Sequence, residues 1–243
     1  MEFIKVNDYQ DMSDKACSLM IEAINRVENP VLGLATGSTP EGLYQKLIEK
    51  YSEGKVSFKD VTTFNLDEYV GLKREDVNSY YRYMKEKLFN HIDIEMERVH
   101  LPNGTADDLI AECKNYDQKI QEAGRIDLQI LGMGINGHIG FNEPGTPFSS
   151  RTHIVDLAAS TREANSRFFP TLEDVPRQAV TMGIATIMES KEILLLVSGE
   201  QKAEAIARLA EGEISEDFPA SILRNHPNVK VIVDEGAMIK LNE

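Results

Sequence analysis

Five short runs, at residues 31–35, 61–66, 127–131, 192–198 and 229–234, constrain the fold of this chain more than any single motif does. Each is dominated by apolar or β-branched residues with little alternation. A half-exposed strand alternates apolar and polar positions, so a run such as Ile193-Leu-Leu-Leu-Val197 reads as a strand buried on both faces. The segments between them carry helical spacing instead. Over 8–27, Met12, Ala16, Leu19, Met20, Ala23, Ile24 and Val27 recur on one face, and similar patterns cover 40–51, 78–89, 105–123 and 200–211. Strands are also predicted at 2–6 and 179–184, an extended segment at 150–157, and a short helix at 219–225. Alternating strands and helices predict an α/β fold, with an open, mostly parallel, doubly wound sheet and helices on both faces. With no repeat, low-complexity tract or linker, residues 1–243 are read as one domain. Four helix starts carry capping signals: Thr39 before Pro40, Thr105-x-x-Asp108, Ser160-x-x-Glu163 and Ser198-x-x-Gln201.

Composition removes several function classes. The net charge of −14 repels nucleic acid and anionic lipid, so an anionic ligand needs a local cluster of donors. The sequence has no long apolar run that could span a membrane, and the opening Met-Glu-Phe-Ile-Lys-Val is unlike a secretory signal. Cys17 and Cys113 fall on apolar helix faces without metal-ligand spacing, and read as buried thiols of a reducing cytoplasm. No metal site is expected.

In an open α/β sheet, ligands bind beyond the carboxyl ends of the strands. Four loops at that edge carry chemistry. Thr36-Gly-Ser-Thr39, between a strand and a helix start, brings backbone N–H groups, hydroxyls and a helix dipole together, an arrangement suited to an anion. It is not a P-loop, because no Gly-Lys-Ser/Thr follows. Asp67 and Glu68 end another strand, where adjacent side chains point to opposite sides, so only one should face a site. The glycine-rich stretch 132–145 supplies Asn136, His138 and Glu143, an imidazole and carboxylate suited to acid–base work. Its Gly132-x-Gly-x-x-Gly137 matches the dinucleotide fingerprint, with Asp156 as ribose acid, but the residues after Gly137 are poor helix formers. Lys202 opens the last long helix, where a cation opposes the dipole and calls for an anionic partner. Arg162 and Arg167 sit on a short helix, which by itself suggests only a solvated face.

Gly-Met-Gly-Ile-Asn-Gly-His-Ile-Gly-Phe-Asn-Glu-Pro at 132–144 resembles the signature of the isomerising glucosamine-6-phosphate deaminases, and the resemblance runs through the whole chain. It implies conversion of D-glucosamine 6-phosphate and water to D-fructose 6-phosphate and ammonia, without cofactor or metal. It assigns the base to Asp67, ring opening to His138 with Glu143, and the phosphate to Thr36, Gly37, Ser38, Thr39, Arg167 and Lys202. Ser38 replaces a family glycine, and Asn136 stands where many members carry Asp, which leaves Asn136 a supporting catalytic role. The expected partner is a small sugar phosphate, with no nucleic acid or membrane, and a homo-oligomer is left open. A 6-phosphogluconolactonase shares a similar loop but continues differently after the histidine. A sugar-phosphate-sensing regulator on this fold would add a helix-turn-helix domain.

Overall fold

The computed structural model describes residues 1–166 and 169–241, apart from the side chains of Ser160 and Ala164. Strands β1 (Glu2–Val6), β2 (Val31–Leu34), β3 (Thr62–Asn65), β5 (Val99–His100), β6 (Leu128–Gly132), β9 (Ile193–Val197) and β10 (Val229–Asp234) form one sheet in the order β1-β10-β9-β6-β2-β3-β5. Every neighbouring pair in it is parallel. All residues of β2 and β9 are buried, so both faces of the sheet are covered, as expected from their unbroken apolar runs.

Helix α1 (Tyr9–Arg26) is capped by Asp8, which accepts from the N–H of Asp11, and it buries Met12, Ala16, Cys17, Met20, Ala23 and Ile24. It packs on α2 (Glu41–Ser52) and along β10 and β9. Helices α3 (Tyr80–Lys87) and α4 (Leu109–Glu122) complete the first half of the chain. The second half has α5 (Ala159–Asn165), α6 (Ile184–Met188), α7 (Ala203–Glu211) and α8 (Glu235–Met238). Cys17 and Cys113 are free and buried, and burial pushes both thiols up to about 11, so neither is a reactive thiolate. Among the described residues no helix is long and apolar enough to cross a membrane.

The structure departs from the sequence reading in one architectural respect. Asp67–Tyr69 does not prolong β3; it forms its own strand, β4, in a second sheet ordered β4-β8-β7, with β7 at His153–Asp156 and β8 at Gln178–Thr181. Both pairings there are antiparallel. β8 stops at Thr181, short of the predicted 184, because Ile184 opens α6. The two sheets meet at Leu66, whose N–H donates to Leu34 O and whose carbonyl accepts from Met182 N–H.

Three of the predicted caps do not form as expected, two giving way to neighbouring residues and one to a tertiary partner. Pro40, not Thr39, occupies the N-cap of α2. Asp108 caps α4 while the Thr105 hydroxyl turns to Asn103. Ser198 donates to Asp234 at 2.5 Å instead of capping a helix, and residues 200–202 form a separate 3-10 turn before α7. The fourth helix, α5, starts at Ala159 with Ala158 in the N-cap position, two residues ahead of the expected cap at Ser160.

Candidate active site

A cleft of about 1040 Å³ lies at the carboxyl edge of the parallel sheet, and four separate loops furnish it. Thr36, Gly37, Ser38 and Thr39 line one wall, in the turn between β2 and α2. Gly37 has φ of +90°, a conformation open to glycine at little cost. Among the described residues, the N–H groups of residues 36–39 donate to no protein acceptor. Lys202, half-buried after β9, reaches across so that its Nζ donates to Met133 O at 2.6 Å, and burial lowers its pKa. Asp234 secures the turn that places it, accepting from the Ser198 hydroxyl and the Gly199 N–H. Arg167 lies outside the described residues. Arg162 donates to the carbonyls of Leu172 and Val175, and so holds the chain beyond α5.

The loop after β6 folds back on itself instead of starting a helix, which removes the dinucleotide reading. Gly134 N–H donates to His138 O, Gly137 N–H donates to Gly134 O, and Ile139 bridges Asn142. Gly137 has φ of +84°, and a Cβ there would stand 2.2 Å from the Phe218 ring. His138 thereby enters the cleft, with Nδ1 at 3.6 Å from Glu143 Oε2. Glu143 stands behind it, accepting from Asn136 Nδ2 at 2.7 Å and from the Thr161 hydroxyl at 2.6 Å. Burial disfavours the Glu143 charge, but the His138 ring, Thr161 and Asn136 together reverse this and hold the carboxyl at about 2. Among the described residues Asn136 makes no hydrogen bond to the imidazole. Its Oδ1 accepts from the His138 main-chain N–H at 3.2 Å, so its hold on the ring runs through the backbone and Glu143.

Asp67 and Glu68 divide as their alternation predicts. Asp67 lines the cleft and is 7% exposed, and among the described residues no donor reaches its carboxylate. Burial, reinforced by the charge of Glu68, raises it to about 8. Glu68 turns the other way and accepts from the N–H groups of Tyr69, Tyr80 and Tyr81, each at 2.9 Å, which anchors the start of α3. Burial pushes Glu68 up as well, and these three bonds pull it back.

Thr161 is a site residue that sequence reasoning did not single out. A threonine inside a helical segment carries no signal of its own; only the fold of the 132–145 loop shows that a carboxylate awaits it. Tyr9 and Tyr80 also line the cleft and were equally silent, whereas Phe141 and Gln201 fall within motifs already read without a site role.

An edge that presents unpaired N–H groups, a half-buried ammonium, a raised carboxyl and a histidine–glutamate pair suits acid–base chemistry on a small anion, and so defines the class of an α/β enzyme with an anion-binding cleft. The chain belongs to the family described as glucosamine-6-phosphate isomerases/6-phosphogluconolactonase, whose model matches residues 7–232. It is 59% identical over 238 residues to the glucosamine-6-phosphate deaminase of Oceanobacillus iheyensis, covering 98% of this chain and 95% of that one. It is 61% identical over 237 residues to that of Shouchella clausii, covering 98% and 96%. A solved structure described as a monomeric glucosamine-6-phosphate deaminase superposes with a TM-score of 0.97 at 51% identity, over 99% of this chain and 100% of that one. The 6-phosphogluconolactonase of Thermotoga maritima shares the fold, with a TM-score of 0.76 at 23% identity over 96% and 99% of the two chains.

Proposed function

We propose that the chain converts D-glucosamine 6-phosphate and water to D-fructose 6-phosphate and ammonia, as a cytoplasmic enzyme of amino-sugar breakdown acting through residues 1–243 as one unit. The observation that carries this reading is the joint presence, in one cleft, of a raised carboxyl and a histidine–glutamate pair opposite an anion-binding turn. The phosphate is held by the N–H groups and hydroxyls of Thr36–Thr39 and by Lys202, with Arg167 assigned to it by family resemblance. His138, steadied by Glu143, transfers the proton that opens the sugar ring. Asp67, in its ionised form, takes the proton from C2 of the open-chain aldehyde. Delivery of a proton to C1 then leaves an imine at C2, and water attacks that carbon to expel ammonia. None of these steps calls on a metal.

The test is ammonia release from glucosamine 6-phosphate by the purified protein, with 6-phosphogluconolactone offered in parallel. Hydrolysis of the lactone without ammonia release would reassign the reaction.

Lys202→Ala removes a charge-assisted contact worth about 1.5–3 kcal/mol. The KM for glucosamine 6-phosphate is expected to rise by at least about tenfold with kcat changed less. An unchanged KM would place the phosphate elsewhere. Thr161→Val removes one of the bonds that hold Glu143 and is expected to lower kcat by roughly two- to tenfold. Thr161→Ser should restore it, and equal losses in both variants would deny the hydroxyl its role.

A further inference from the structure

Three tyrosine hydroxyls, one from each of three helices, hold the carbonyls of the anion-binding turn. Tyr44 of α2 donates to Ala35 O at 2.5 Å, Tyr83 of α3 donates to Gly37 O at 2.6 Å, and Tyr9 of α1 donates to Ser38 O at 3.0 Å. Tyr9 also accepts from the N–H of Gly42 at 2.8 Å, so one hydroxyl joins the turn to the first turn of α2. That approach depends on glycine: a Cβ on residue 42 would stand 2.2 Å from Ser13 Oγ and 3.0 Å from the Tyr9 ring.

Each bond fixes more than an oxygen. A trans peptide is planar and points its N–H opposite to its C=O. Holding the carbonyls of Ala35, Gly37 and Ser38 therefore turns the N–H groups of Thr36, Ser38 and Thr39 the other way. Those same N–H groups donate to nothing among the described residues, although residues 36–39 line the cleft. The turn contains a glycine at φ of +90°, and without external ties its peptide planes could rotate at little cost.

We propose that Tyr9 and Tyr83 are positioning residues that pre-set the peptide planes of residues 37–39 for the substrate's phosphate group, with Tyr44 fixing the plane before them. This rests on the phosphate assignment made above. Neither hydroxyl is placed on substrate. Their effect is to remove the cost of orienting the turn when the anion arrives, so they act on binding and not on proton transfer. Tyr44 is fully buried and its loss would leave the Ala35 carbonyl unpaired in the core, which makes it a poor probe. Tyr83 is partly exposed and Tyr9 borders on exposed, so replacement by phenylalanine keeps each ring and removes only the hydroxyl.

The experiment compares wild type, Tyr9→Phe, Tyr83→Phe and the double variant by steady-state kinetics with glucosamine 6-phosphate and by competitive inhibition with inorganic phosphate. Each single change is expected to raise both KM and the phosphate inhibition constant by roughly two- to tenfold, and the double by on the order of tenfold or more, with kcat unchanged. Thermal unfolding of each variant, followed by circular dichroism, should stay close to wild type. If wild type shows competition by phosphate and the double variant shows the same constants, the positioning role is overturned while the phosphate site stands. Absence of phosphate competition in wild type would overturn the site assignment and the tyrosine role with it. A fall in kcat at constant KM would also overturn the proposal, because it would move the hydroxyls to the chemical steps.

Discussion

Asp67→Asn is expected to abolish ammonia release and at the same time to make the protein more stable at neutral pH. The amide keeps the shape of the side chain but cannot accept the C2 proton, so turnover should fall by roughly 10²–10⁴-fold, the usual worth of a general base. The stability gain follows from proton bookkeeping. An unfolded aspartate titrates near ~3.9, whereas burial and the nearby Glu68 charge lift Asp67 to about 8 in the fold. Below both values the two states are equally protonated. Between them the folded protein retains a proton that the unfolded chain has released, so native stability declines as pH rises through that window. Asparagine resembles the protonated carboxyl and escapes the decline. The melting temperature of Asp67→Asn should therefore exceed wild type near pH 8 and converge with it near pH 4. Kinetics and melting curves across pH check both halves. The assignment fails if Asp67→Asn turns over normally while Glu68→Gln is inactive yet folded. The geometry predicts otherwise, since Glu68 spends its oxygens on the N–H groups at the start of α3.

Gly134→Ala should cost nearly as much activity without touching an ionisable group. The backbone at Gly134 is outside the left-handed region, so alanine adds no torsional strain, but its Cβ would lie 2.3–2.6 Å from three atoms of the His138 ring. Real Cβ contacts are never that close, and the imidazole has to leave its place beside Glu143. Misplacing a catalytic group by about 1 Å is enough for a loss of roughly 10²-fold. A kcat within twofold of wild type, with circular dichroism unchanged, would show that the ring position observed here does not matter to the rate-limiting step.

What the sequence revealed, and what it hid, divides along physical lines. Strands β2, β6, β9 and β10 were legible because burial on both faces forces unbroken apolar runs, and a run of that kind needs no partner to be recognised. The second sheet was legible only in part: β7 and β8 overlap the segments predicted at 150–157 and 179–184, but their pairing with Asp67–Tyr69 was not foreseen. Asp67-Glu-Tyr69 has no apolar pattern, and its status as a strand depends on Thr181, Val180 and Ala179, far along the chain. The capping patterns at Thr39, Thr105 and Ser198 had suitable hydroxyls at suitable spacing, but tertiary acceptors or neighbouring residues took over, a competition invisible to local rules. Of the site, the ionisable residues could be found because they stand at strand ends where ligands bind, and family resemblance then chose among them. Thr161, Tyr9 and Tyr83 could not, since a hydroxyl on a helix is ordinary until the fold brings an acceptor to it.

The seam at Leu66 gives the site two owners. The turn at 36–39 and Lys202 are mounted on the parallel sheet, whereas Asp67 belongs to the antiparallel one and is tied through β8 and β7 to the segment that carries Thr161. A change confined to the smaller sheet would therefore shift Asp67 and Thr161 while leaving in place the turn at 36–39, Lys202 and the His138 loop, all carried by the larger one.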